Sequence, residues 1–108
     1  MIKRPEDCNS MTEVRAGVDD VDERLMALLA ERFAFMAAAA RIKTDRDMVR
    51  DEGRKTQVIT NAKERAIALG VPEPLVASLW EMLVETSISY ELQLFDDKAL
   101  VSIERSFG

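Results

Sequence analysis

The chain is expected to be all-α, and three observations carry that expectation. Val14, Val18, Val21, Leu25, Leu28, Arg32, Phe35, Ala39 and Ile42 step by four and three without a break. That is the seam of a long amphipathic helix with a coiled-coil-like repeat. Val76, Trp80, Leu83, Ser87, Tyr90 and Leu94 repeat the same spacing. No segment alternates apolar and polar residues as a half-buried strand does.

Each element can be justified in turn. Residues 1–9 read as an extended lead-in. Ser10-Met-Thr-Glu13 has the form of a capping box, so the first helix is expected to start there and to run to the Thr44–Gly53 region. Its 34 or so residues would span about 50 Å. A compact chain of 100 residues has a radius of gyration of only about 13 Å, so the helix should project and pack on a partner subunit. Residues 45–53 are charged and weakly periodic, which suggests a loop. A second helix is expected from Asp51 or Arg54 to Leu69, with Gly70 placed to end it. Val71–Pro74 is a connector, with Pro72 or Pro74 in the first turn of a third helix that ends near Phe95. Beyond Asp96 the pattern fades, and Leu100, Val101 and Ile103 either add a turn or fray. The expected organisation is a lead-in over 1–9, one helical domain over 10–95 and a tail over 96–108.

Composition narrows the function. A net charge of −5 argues against nucleic acid as a partner. A few converging cations can still make a positive pocket for a small anion on an acidic protein. The chain has no histidine, which removes the commonest general base and metal ligand. Cys8 is the single cysteine and cannot form an internal disulfide or a thiolate cluster. The start lacks the apolar core of a signal peptide, and no apolar run approaches the roughly 20 residues needed to span a membrane. A cytoplasmic location without membrane association is expected.

The polar residues on the apolar faces are the candidate site. A guanidinium on a buried seam is costly unless it meets an anion, and Arg32 stands on the seam. Arg15 and Lys43 fall on the heptad row beside it. Arg32 and Lys43 are three turns apart, roughly 16 Å, whereas Arg15 and Arg32 are separated by roughly 25 Å. Antiparallel pairing of two copies would bring Arg15 of one beside Arg32 and Lys43 of the other, so the spacing favours a site shared between subunits. Plainer readings stay open. Asp19, Asp22, Glu23 and Glu31 could pair with these cations, Ser87 could bond back to its own turn, and Glu91 could point inward or outward.

The run Asp19 to Arg32, with its D-x-x-L-x-x-L-L-x-x-R core from Asp22, together with Arg15, Ala-Arg-Ile-Lys43 and Val-Arg-Asp51-Glu-Gly-Arg54, resembles the all-helical chorismate mutases. The resemblance covers about residues 10–95. Arg4-Pro-Glu-Asp-Cys8 also resembles the isochorismate-pyruvate lyase branch of that fold, used in salicylate synthesis. The resemblance implies an intertwined homodimer of three-helix chains with two shared active sites. It implies rearrangement of chorismate to prephenate, on the way to phenylalanine and tyrosine, without nucleophile, metal or cofactor. Arg15 from the partner copy and Arg32 would bind the two substrate carboxylates. Lys43 would bond the ether oxygen and a carboxylate. Asp51 would approach the ring hydroxyl, Arg54 would line the pocket, Ser87 would contact a carboxylate and Glu91 would face the ether oxygen. The chain departs from the family at Glu91, where bacterial mutases usually have glutamine, and at Lys55, where a glutamate usually bonds the ring hydroxyl. It is also one residue shorter between Lys43 and Asp51. Isochorismate-pyruvate lyase and a mutase for an amino-substituted chorismate are the alternatives in the same site; from another class, a helical dimerisation or regulatory module is the competitor.

Overall fold

A computed structural model describes residues 2–107, with side chains through Val101. The described chain is all-α. Its three helices are α1 (Met11–Ile42), α2 (Glu52–Leu69) and α3 (Glu73–Phe107), and no strand occurs among the described residues. It divides into two compact units, one through Phe35 and one from Met36.

In the first unit, α1 starts at the expected cap. The Glu13 backbone N–H donates to Ser10 Oγ at 3.2 Å, and the Ser10 hydroxyl donates to Glu13 Oε1 at 3.3 Å. That carboxylate also accepts the Asn9 backbone N–H at 3.0 Å and pairs with Lys3. The Lys3 ammonium, then the Asn9 N–H, hold the Glu13 carboxyl below its ordinary range. The lead-in is not simply extended, as expected, because Pro5–Asp7 forms a 3-10 turn. Proline at the first position presets φ for such a turn, and Arg4 Nε ties it to Asp7 at 2.9 Å. Ile2, Pro5 and Cys8 thereby form, with Val14, Val18 and Val21, a groove of about 390 Å³. Farther along α1 the seam stays open: Leu25, Leu28 and Phe35 are 52%, 60% and 64% exposed.

The second unit is built on an antiparallel pair. Lys55 of α2 meets Glu81 and Glu85 of α3, while Lys63 meets Glu73 near the turn. Gly70 makes that turn. Its φ of 72° is left-handed backbone, its N–H donates to Ile67 O, and the Val71 N–H reaches Ala66 O at 2.9 Å. This double bond pattern satisfies carbonyls that a helix end otherwise leaves bare. Between α2 and α3 lies a small core of Val49, Val84 and Ile88, flanked by Val58, Ile59 and Leu92. Val49 enters it from the α1–α2 connection, where Asp45 caps a 3-10 turn at Arg46–Met48.

A network of ion pairs closes the outer side of this core. Arg50 donates to Glu85 at 2.8 and 3.0 Å and to Glu52 at 2.9 Å. Lys55 donates to Glu81 at 2.8 Å and to Glu85 at 3.0 Å. Hydrogen bonds from Arg50 first, then Lys55, pull the Glu85 carboxyl down to about 2. Reciprocally, Glu85 raises Arg50, and Glu81 raises Lys55.

α3 does not stop at Phe95, where the apolar pattern fades, but runs to Phe107. No glycine or proline interrupts it after Pro74. Contacts on the added turns hold it. Arg46 reaches Asp96 through two bonds of 3.0 and 3.4 Å, and Lys98 reaches the end of α1.

Two outcomes follow from this unit. Glu85 is depressed in the folded chain, so its contribution to stability is present above its unfolded value of 4.5 and is lost as pH falls toward about 2. Thermal melts of the wild type and Glu85→Gln should therefore differ most at neutral pH and converge on acidification. Gly70→Ala meets no atom within 4 Å of the new Cβ. Its cost should come from backbone strain alone, roughly 1 kcal/mol in chemical denaturation.

Candidate active site

Lys43 follows α1 directly, and its N–H still donates to Ala39 O at 2.9 Å. Its side chain points to α3, where Nζ lies 2.6 Å from Glu91 Oε1. The lysine side chain keeps 26% of its exposure and the glutamate 5%. Glu91 is thus turned inward, resolving the orientation that sequence left open. Among the described residues the buried polar ones are Ser87 and Glu91. They stand four apart on α3, and so on one face.

The Lys43–Glu91 contact joins charges without hydrogen-bond alignment, so Glu91 Oε1 is buried beside an ammonium with no aligned donor. Burying an ionised carboxylate is costly unless a cation compensates it, and Lys43 supplies that cation. An acceptor left short of a donor can be completed by a ligand group. Ser87 Oγ donates to Leu83 O at 2.6 Å, the bond to its own turn that a helical serine offers.

The other candidates stand as follows. Asp51 caps α2, accepting the Arg54 N–H at 2.9 Å. The Arg54 guanidinium donates to Gln57 Oε1 at 2.7 Å. Both Asp51 and Arg54 are exposed. Lys55 is spent on Glu81 and Glu85. In the first unit, Arg32 is partly buried on α1 and Arg15 is exposed one helix stretch earlier. The second unit therefore brings Lys43 together with Glu91, and sets Ser87 one turn from Glu91. It holds Asp51 and Arg54 in local contacts of α2.

Sequence reasoning missed Lys98. Its Nζ donates to Ala40 O at 2.9 Å and to Lys43 O at 2.8 Å, with Arg41 O at 3.5 Å. The signal was available: Lys98 stands seven residues after Glu91, on the same α3 face. It lay in the stretch expected to fray.

No group of three or more Cys, Asp or Glu side chains among the described residues is arranged to hold a metal ion, and no described helix is long and apolar enough to cross a membrane. Comparison with known proteins agrees with the helical pattern. The isochorismate pyruvate lyase of Pseudomonas aeruginosa is 23% identical over 92 residues, spanning 85% of this chain and 91% of that protein. The family model of chorismate mutase type II matches residues 14–92, and with that match over most of its length the chain belongs to the chorismate mutase type II family.

Proposed function

We propose that this protein rearranges chorismate to prephenate. The observation that carries the reading is the inward Lys43–Glu91 pair, an ammonium beside a buried carboxyl on the α3 face that also buries Ser87. A pericyclic rearrangement asks for no nucleophile. It asks for one compact conformer of a dicarboxylate and for donors fixed where charge grows on the ether oxygen. Holding the conformer lowers the barrier through orientation. Each preorganised donor in a water-poor site contributes about 3 kcal/mol.

In this reading Lys43 bonds the ether oxygen and a carboxylate, and Glu91 faces the same oxygen. Arg32, and Arg15 of a second copy, take the two carboxylates. Ser87 adds a carboxylate contact, and Asp51 and Arg54 complete the ring-hydroxyl side. The exposed seam of Leu25, Leu28 and Phe35 supplies an apolar face for that second copy, and a homodimer with shared sites accounts for it.

A second reading has its own support. The lyase relative matches over most of both chains, so isochorismate, split to salicylate and pyruvate, is the competing substrate. The start Arg4-Pro-Glu-Asp-Cys8 supports the same branch.

Purified protein incubated with chorismate and, separately, with isochorismate should form prephenate from the first. Salicylate plus pyruvate from the second alone would select the lyase, and turnover of neither would leave a scaffold. Arg32→Ala should lower turnover about 10²- to 10³-fold, the loss expected for one charge-stabilising donor, while light scattering still shows a dimer. A monomeric wild type would overturn the shared site.

Glu91 makes a further outcome specific. A carboxylate there repels the developing oxyanion, whereas the side-chain N–H of a glutamine donates to it. Glu91→Gln should therefore raise kcat in a side-by-side assay of the two purified proteins. An unchanged kcat contradicts this role.

A further inference from the structure

Lys43 is held to α3 twice. Its side chain meets Glu91, and its backbone carbonyl accepts from Lys98 at 2.8 Å. The second hold is made by a stretch beyond the family match, which ends at residue 92. Lys98 is fully engaged. An ammonium has three N–H groups, and this one faces Ala40 O at 2.9 Å, Lys43 O, and Arg41 O at 3.5 Å. It also lies 4.4 Å from the centroid of the Phe95 ring. The carbonyls it meets belong to the last turn of α1 and the residue after it, where no helical N–H follows and the helix dipole favours a cation.

We infer that Lys98 is a positioning residue for Lys43. This rests on the reading of Lys43 as the donor to the reacting oxygen. The two holds differ in what a substrate does to them. A dicarboxylate that engages the Lys43 ammonium competes with Glu91 for it, so the side-chain hold is weakened at the moment of binding. The backbone hold involves no group that the substrate needs. Lys98 therefore keeps the lysine's Cα in place while its ammonium exchanges one carboxylate for another. Misplacement of a donor by about 1 Å can cost about 10²-fold in rate, so this anchor acts on turnover rather than on affinity.

The test compares Lys98→Met, which keeps an apolar stem over Phe95 but no charge, with Lys98→Arg. A third variant, Asp96→Asn, removes a neighbouring contact of the same α3 stretch. All are made in the full chain. Lys98→Met should lower kcat for the turned-over substrate about tenfold or more with KM changed less than about threefold, and should speed amide hydrogen exchange over residues 41–45. Lys98→Arg, which can still donate to carbonyls, should restore much of both. Asp96→Asn should lower Tm but leave kcat within about twofold. Faster exchange with unchanged kcat overturns the positioning role, and so does an equal loss of kcat in Asp96→Asn. Unchanged exchange overturns the anchor itself. Wild-type protein that turns over neither chorismate nor isochorismate overturns the functional reading and the catalytic half of this inference. The exchange measurement then still decides whether Lys98 holds the α1 terminus.

Discussion

An ammonium and a carboxylate, Lys43 and Glu91, meet between the end of one helix and the middle of another, the carboxylate buried and the ammonium half-buried. Neither charge could be buried there alone at tolerable cost. The pair is therefore a constraint on everything around it. α1 must end where Lys43 can turn inward, and α3 must present Glu91 on the face that also buries Ile88 and Ser87. The connection between α1 and α2 must then return to the core within a few residues, which it does by burying Val49.

The surrounding electrostatics separate two tasks. On the outer side, Arg50 and Lys55 saturate Glu85, and Lys55 also holds Glu81, so these charges clamp α2 to α3. On the inner side, Glu91 Oε1 keeps a neighbouring cation but no aligned donor. The chain thus places its exposed ion pairs where they fasten helices and its buried one between the end of α1 and α3. Lys55 belongs to the fastening group. A glutamate at its position would lie among the carboxylates of Glu81 and Glu85, so the acidic face that α3 presents here suits a cation.

Much of this could be read in the residues before any coordinates. The helix class followed from the four-three spacing, the start of α1 from Ser10 and Glu13, and the α2–α3 turn from Gly70, because each signal is local and has one physical meaning. Lys43 was legible as a candidate from its heptad row and Glu91 from its place one turn after Ser87, and family likeness gave both a role, yet their pairing was not legible, since contacts across 48 positions leave no periodic trace. The end of α3 was misplaced for the same reason. The turn after Phe95 is held by Asp96 and Lys98, which look solvated in isolation and find Arg46 and the α1 carbonyls only after folding. The turn at Pro5–Asp7 was missed because a lone proline fits an extended lead-in equally well.

The segment joining α1 to α2 is tethered along its whole length. Lys98 grips its beginning, Asp96 takes Arg46 in its middle, Val49 is sunk in the core, and Asp51 is committed to starting the next helix. A stretch of backbone fastened at four places is restrained from swinging aside like a flap. It is a wall, and any small molecule that reaches Lys43 must come by a route this wall does not have to open.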